Sequence, residues 1–177
     1  MKALNEQALR AFDTLLCVCK NVSLDINIKL SLFDKLVSPI LLYCSEIWGI
    51  YNYKGVDKLH IRFCKMVLGV RKQTMNYAVL GELGRLPLSS IAKFRSIKFW
   101  LKIQDKNNPN TQLQQFYNQQ CEDNFPLNNR NWAFHVKRMI DEQGLSDLWF
   151  EQNLNVAFSL SFNKELKTNS FSNRNQK

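Results

Sequence analysis

The side chains of this chain that could do chemistry are its lysines and arginines, whose excess lies in one stretch. Residues 54–106 carry 12 Lys and Arg against 3 acids, Asp57, Glu82 and Asp105, which accounts for the whole net charge of +9. The stretches before and after it each hold equal numbers of bases and acids. Concentrated like charges repel one another unless a dense anion faces them, and a nucleic-acid backbone is such an anion. The charge distribution therefore predicts nucleic-acid binding.

The spacing of these bases predicts a basic ridge on one helix. At about 100° per residue, a helix over residues 54–68 has its bases on one stripe and apolar residues on the opposite face. The stripe contains Lys54, Lys58, Arg62 and Lys65, and the apolar face contains Leu59, Phe63, Met66 and Val67. The alternative is that the bases coat a solvated helix, but such helices usually mix charges of both signs for i,i+4 pairing.

A second ridge is predicted between residues 90 and 106, where Arg95, Lys98, Lys102 and Lys106 recur at helical spacing. Apolar residues surround this helix on almost every other side. A helix of that kind is normally packed between other elements. Its basic strip would then be the part that faces a groove or a partner.

Motifs for catalysis and for metal binding are absent from the sequence. It has no H-E-x-x-H, no G-x-S-x-G, no phosphate loop with GK[ST] and no aspartate pair for magnesium. The five cysteines form no C-x2-C pair, which argues against a disulfide framework and a zinc ribbon. His60 and Cys64 could share a metal at i,i+4, but packing is the default for Cys64 and a surface position is equally compatible with His60. We expect no catalytic residue, metal or cofactor.

Helical elements must position these bases. Apolar periodicity predicts a first helix over residues 3–20 and then a second helix, which Pro39 should kink or split. We expect Ser23 to be the N-cap of this second helix, with Asp25 near the positive end of its dipole. The third helix runs to about Leu68, with Gly69 as its C-cap. Only residues 156–162 show any strand alternation. The predicted class is all-α, or mainly α.

The remaining composition concerns localisation. The longest apolar run, Pro39 to Cys44, is far shorter than the roughly 20 residues that a membrane helix needs. The N-terminus has no apolar signal core and no cleavage site. These features predict an intracellular protein, in cytoplasm or nucleus, with no membrane partner.

Three runs of residues, taken in order, resemble a known family. They are LVSPILLYCSEIWG at 36–49, FCKMVLGV at 63–70 and LGELGRLPL at 80–88. Together they resemble the region after the catalytic palm in reverse transcriptases of LINE-type (non-LTR) retrotransposons of animals, over roughly residues 4–150. The chain departs from the family at Cys44, where the family usually has glycine, and a small residue there suggests close packing.

The resemblance implies a thumb, a helical bundle along the minor groove of the template-primer duplex, and then a helical connection. The implied duplex contacts are Lys58, Arg62, Lys65, Arg71 and Lys72. Combined with the charge pattern, the predicted nucleic-acid-binding residues are Lys54, Lys58, Arg62, Lys65, Arg71, Lys72, Arg85, Arg95, Lys98 and Lys102.

The resulting division of the chain has four parts. They are a thumb-like bundle at 1–72, basic connection helices at 73–106, an Asn-rich linker with a small helical region at 107–162, and a disordered tail at 163–177. The palm, with its metal-binding aspartates, would lie upstream, which makes this chain a noncatalytic fragment of an RNA-directed DNA polymerase. The expected partners are an RNA–DNA or RNA duplex and the missing palm. A helical protein-interaction module with a basic surface, and an inert mobile-element relic, remain as alternatives.

Overall fold

Helices make up the regular structure of the residues that can be described. The computed structural model describes residues 2–51, 55–104, 111–122, 131–144 and 146–147. Within these ranges it contains nine helices and no strand, which confirms the predicted mainly α class. Lys54, Lys106, the segment 156–162 and the predicted tail at 163–177 lie outside the described residues.

The helix boundaries follow the apolar periodicity closely. The helices are Lys2–Asn21 (α1), Ile26–Leu36 (α2), Ser38–Leu41 (α3), Ser45–Trp48 (α4), Gly55–Val67 (α5), Asn76–Glu82 (α6), Leu88–Gln104 (α7), Thr111–Glu122 (α8) and Trp132–Glu142 (α9). The break between α2 and α3 confirms the predicted effect of Pro39, which lies in the first turn of α3. A proline is tolerated there because the first N–H groups of a helix have no partner within it.

The start of α2 corrects one sequence-based expectation. Asp25, and not Ser23, is the N-cap, because its side chain accepts a hydrogen bond from the Asn27 N–H at 3.1 Å. Its extended backbone suits a cap. A carboxylate also interacts more favourably than a hydroxyl with the positive end of the helix dipole.

The chain divides into two compact units, and each is described by itself. The first comprises Met1–Ser45 with Asn52–Ala92, and the second comprises Glu46–Tyr51 with the chain from Lys93 onward. The predicted four-part division, with its first boundary after residue 72, stays a prediction. The structure has its boundary within α7, which continues without a break through Ala92 and Lys93.

Three phenylalanines form the centre of the first unit. Phe33 of α2 stacks on Phe63 of α5 with ring centroids 4.6 Å apart, and Phe12 of α1 meets Phe63 edge-on at 6.2 Å. All three side chains are fully buried. Aromatic pairs in such geometries contribute about 0.5–1.5 kcal/mol beyond the burial of their area. This cluster therefore ties α1, α2 and α5 together.

Two helices of the first unit end in the same glycine-based cap. After α5, Gly69 has φ of 66°, its N–H bonds Met66 O, and the next N–H bonds Lys65 O. After α6, Gly84 has φ of 60°, its N–H bonds Gly81 O, and the next N–H bonds Leu80 O. This is the Schellman arrangement, which favours glycine because its left-handed residue carries no Cβ. The predicted cap at Gly69 is confirmed.

The second unit is built on the later part of α7. Trp100, Leu101 and Ile103 pack with Ala133, Val136 and Ile140 of α9 in one buried cluster. Trp100 is fully buried, and its indole N–H donates to the Tyr117 hydroxyl at 3.0 Å. Buried indole groups usually need such a partner. The burial of α7 confirms the expectation that a helix with so many apolar residues is packed against other elements.

None of the helices that the structure describes combines the length and the apolar character that a membrane span requires.

Cys44 has a backbone conformation that its residue type disfavours. It lies between α3 and α4 with φ of 53°, in the left-handed region, and its side chain is exposed. Exposure overturns the expectation that a small residue is needed there for close packing. A glycine at this position would instead relieve backbone strain, because an L-residue with a Cβ pays roughly 1–2 kcal/mol in this conformation.

Replacing Cys44 with glycine should therefore stabilise the chain. We expect Cys44→Gly to raise the free energy of unfolding by about 1 kcal/mol, since relief of strain exceeds the entropy that glycine adds to the unfolded state. Urea unfolding followed by circular dichroism measures the change.

A matched control is Cys17→Gly, at an exposed cysteine inside α1. The same substitution should lower stability there by about 0.5 kcal/mol, because glycine is a poorer helix former. If both variants lose stability to the same extent, the strain at Cys44 is not significant.

Candidate nucleic-acid interface

The helix α5 separates charged from apolar side chains. Lys58 and Arg62 are exposed, whereas Leu59, Phe63 and Cys64 are buried. The predicted division of this helix into a basic face and an apolar face is thus present in the structure. It arises because residues at i and i+4 share a face, so the face held by Phe63 in the core leaves Lys58 and Arg62 in solvent.

Arg62 is oriented by an aromatic ring beneath it. Its guanidinium carbon lies 5.4 Å from the centroid of the buried Phe12 ring, within the range of a cation–π contact. Such a contact leaves the edge N–H groups of the guanidinium free of the ring face. They could donate to phosphate oxygens, with which arginine forms planar, paired hydrogen bonds.

Lys65 has a structural role as well as a charge. It is half-buried, and its ammonium donates to the Lys72 carbonyl at 2.7 Å. This bond connects the end of α5 to the loop that leads to α6. Arg71 and Lys72 are both exposed in that loop, and the Thr74 N–H closes a turn on Arg71 O. These two bonds therefore join the backbone that carries Arg71 and Lys72 to the end of α5.

Arg85 differs from the other predicted contacts because its guanidinium is engaged inside the first unit. It forms a two-point ion pair with the Asp34 carboxylate, and its Nε–H donates to His60 Nε2 at 3.0 Å. Only 15% of the side chain is exposed. We therefore remove Arg85 from the set proposed to contact phosphate. Its acidic partner is Asp34 of α2, and not Glu82, which is the closer acid in sequence.

The position of Arg85 follows from the cap at the end of α6. Gly84 reverses the chain in the left-handed conformation, and the Arg85 N–H bonds back to Leu80 O at 2.8 Å. These bonds fix the backbone from which the Arg85 side chain reaches α2 and α5. The cap thus positions the Arg85 backbone, and the packing of α2 and α5 against it determines the contact with Asp34, 51 residues away.

His60 is part of the core, which corrects the expectation that a surface position suits it equally well. It is fully buried and stacks on Phe33 with centroids 5.4 Å apart. Because Nε2 accepts a hydrogen bond from Arg85, the proton of the neutral ring must lie on Nδ1. Within the described residues, Nδ1 has no hydrogen-bond partner.

The electrostatic environment keeps His60 uncharged. Burial, and secondly the positive charge of Arg85, lower its pKa from 6.5 to about 4, although Asp57 and Asp34 oppose the shift. Burial likewise raises the pKa of the neighbouring Cys64 thiol to about 11. Both groups are neutral packing residues at neutral pH. The buried position of Cys64 confirms the prediction from its place on the apolar face.

Asp57, the acid at the start of α5, is used for capping. Its carboxylate accepts a hydrogen bond from the Ser89 N–H at 3.0 Å, in the first turn of α7. The residue before α7 is Pro87, which has no side-chain group that could cap this helix. Asp57 is therefore directed towards the start of α7 and partly buried, which limits its ability to neutralise the bases on the exposed face.

The bases of the second predicted ridge lie on α7 within the second unit. Lys98 and Lys102 are exposed, and Arg95 is half-buried. They are on the same helix as the buried Trp100 and Leu101. Like α5, this helix therefore has bases on its solvent-exposed side and apolar residues on its buried side. Lys54, the first member of the other ridge, lies outside the described residues.

The sequence-based predictions missed two exposed apolar side chains, one at the N-cap and one in the first turn of α6. Tyr77 is 80% exposed and Met75 is 66% exposed. They follow Arg71 and Lys72 within six residues. The signal that could have found them is a tyrosine that falls outside the apolar stripe of a short helix, next to bases.

Comparison with known proteins does not identify the chain. No family model matches it, nor does any curated protein or solved structure.

The buried His60 generates a prediction about stability and pH. Its folded pKa of about 4 lies below the ordinary value of 6.5, so between these values the unfolded chain binds more protons. Stability is therefore complete above about pH 6.5 and is lost as the pH falls towards about 4. We expect wild type to lose about 2 kcal/mol more than His60→Gln between about pH 7 and about pH 5.

Urea unfolding at both pH values measures this difference. Glutamine keeps an oxygen that can accept from Arg85 but does not titrate. As a control, His135→Gln leaves His60 in place and should retain the pH dependence that His60 produces. Equal pH dependence in wild type and His60→Gln would show that the folded chain accommodates a charged His60.

Proposed function

We propose that the chain is a noncatalytic nucleic-acid-binding module that holds an RNA–DNA or RNA duplex mainly through its phosphates. Lys58 and Arg62 of α5, with Arg71 and Lys72 of the following loop, make the contacts. The observation that carries this proposal is the exposed basic face of α5, whose nearest acid in the sequence, Asp57, caps another helix. Contacts of this kind position a duplex without reading its sequence.

The proposal extends to the origin of the chain. The three runs that resemble LINE-type reverse transcriptases support an assignment as the thumb and post-palm helices of such an enzyme. Two structural features agree with it: the all-helical architecture, and the left-handed backbone at Cys44, where the family usually has glycine. The palm of the parent polymerase is then a natural partner, and the module acts in the cytoplasm or nucleus.

A role in protein interaction is the second candidate. Exposed bases on α5 could equally face an acidic protein segment, because an acidic peptide and a nucleic-acid duplex carry charge of the same sign. The two anions differ in how densely that charge is spaced. A duplex carries one negative charge per about 1.7 Å of axis, which exceeds the linear density of most acidic peptides. Under an inert-relic origin, neither anion would bind with an affinity that depends on these residues.

The first test is a salt titration with purified chain and a blunt RNA–DNA heteroduplex. Log affinity should fall linearly with log salt, with a slope of about 0.7–0.9 per phosphate contact. The double variant Lys58→Gln/Arg62→Gln should reduce that slope by about 1.5. Lys65 is left intact because its ammonium holds the Lys72 carbonyl.

The control is Lys20→Gln/Lys35→Gln, which changes the net charge equally at two exposed bases of the neutral N-terminal stretch. It should keep the wild-type slope, and circular dichroism checks that both variants remain helical. Wild-type binding by the α5 variant would contradict the proposal. Polyglutamate that competes as well as heteroduplex would favour the protein-interaction role.

The second test concerns catalysis. Polymerases and many nucleases need two metal ions about 4 Å apart, held by paired carboxylates. In the described part of the chain no group of three His, Cys, Asp or Glu residues could hold a metal. We expect the purified chain neither to extend a primer nor to cut DNA, with or without magnesium. Extension above a heat-inactivated sample would refute this expectation.

A further inference from the structure

Hydrogen bonds at both ends and in the middle hold the loop between α5 and α6, residues 68–75. Gly69 closes the end of α5, the Lys65 ammonium bonds the Lys72 carbonyl, and the Thr74 N–H bonds Arg71 O. At its far end the Met75 carbonyl accepts from the Val79 N–H and so joins the loop to α6. These bonds fix the backbone that leads to Tyr77.

The helix α6 is anchored on its other side. Val79 and Leu80 are buried against Cys64 of α5, with Leu83 packed beside them. Tyr77 lies in the first turn of α6 and is exposed, so its ring lies outside that contact. The packing of Val79 and Leu80 therefore holds a helix whose first turn presents the phenol ring to solvent.

Tyr77 is 80% exposed, and in the described residues its ring meets no aromatic, cationic or hydrogen-bonding partner. Met75 beside it is 66% exposed. Exposed apolar area costs about 25 cal/mol per Å² relative to burial, so this pair would gain from a partner with a flat apolar face. Isolated exposed hydrophobic residues are common, so exposure alone does not indicate a binding site. The charges next to Tyr77 are a second, independent argument for one.

The charge around Tyr77 favours one kind of partner. From Lys65 to Tyr77 the chain contains three bases and no acid, and Arg71 and Lys72 are exposed in the same loop. Proteins that bind single strands combine such bases, which follow the phosphates, with aromatic rings on which bases stack. A purine or pyrimidine has a flat apolar face that can cover the exposed Tyr77 ring. The phosphate of the same nucleotide has the negative charge that Arg71 and Lys72 can pair with.

We infer that Tyr77 is a stacking site for an unpaired nucleotide next to the duplex, whose phosphates Arg71 and Lys72 hold. The nucleotide must be unpaired because the faces of paired bases inside a duplex are already covered by their neighbours. This inference rests on the proposed function. It adds that the loop after α5 recognises the junction between a double-stranded and a single-stranded segment.

The test compares two ligands on the full chain. One is a blunt RNA–DNA heteroduplex, and the other is the same duplex with a single-stranded extension that carries 2-aminopurine at its first unpaired position. Stacking contributes about 1–3 kcal/mol per base, so wild type should bind the extended duplex roughly tenfold more tightly than the blunt one. The fluorescence of the 2-aminopurine should change on binding, because the base then stacks on Tyr77.

Tyr77→Ala should lose this preference and bind both ligands with the wild-type affinity for the blunt duplex. Tyr77→Phe should keep the preference, because the ring face and not the hydroxyl makes the contact. The matched control is Tyr43→Ala, which removes another exposed tyrosine of the first unit and should leave the preference unchanged. Circular dichroism verifies the fold of each variant.

Each contrary outcome has a separate meaning. If Tyr77→Ala keeps the preference for the extended duplex, or lowers the affinity for both ligands equally, the stacking site is refuted while duplex binding stands. If Tyr77→Phe behaves like alanine, the hydroxyl is the contact and stacking is refuted. If wild type binds neither ligand, the proposed function fails together with this inference.

Discussion

The stacking of Phe33 on Phe63 is the interaction on which the first unit depends. It fixes the rotation of α5 about its own axis, since Phe63 can occupy the core only if the opposite face of the helix is in solvent. Phe12 extends the contact to α1, and His60 extends it one turn along α5. The exposed bases owe their common direction to these buried rings, because a helix has one rotational setting for all its side chains.

Burial sorts the basic residues into two groups with different roles. Arg85 and Lys65 have acceptors inside the first unit, and Arg85 is mostly removed from solvent. A buried cation is tolerated only when a carboxylate and further acceptors compensate its lost hydration. The other bases, Lys58, Arg62, Arg71 and Lys72, remain exposed. They keep most of their water of hydration, and a phosphate can replace part of that water.

The buried imidazole of His60 is one of the acceptors that compensate Arg85 for its lost hydration. Arg85 can donate to His60 only while the ring is neutral, and burial keeps it neutral. The cost is an unpaired Nδ1–H within the described residues. An unsatisfied buried donor costs roughly 1–3 kcal/mol. The two-point ion pair of Arg85 with Asp34 and the stacking of His60 on Phe33 are the contacts that offset it.

Local chemistry in the sequence determined the helical class, the break at Pro39, the cap at Gly69 and the two faces of α5, because each depends on residues within a turn or two. Tertiary structure alone decided that Arg85 pairs with Asp34, that His60 is buried and that Asp57 caps α7. Those contacts join residues 25 to 51 positions apart, and sequence periodicity carries no information on which distant elements meet. Tyr77 belongs to the same class, because its exposure depends on how α6 packs on α5, where Val79 and Leu80 are buried.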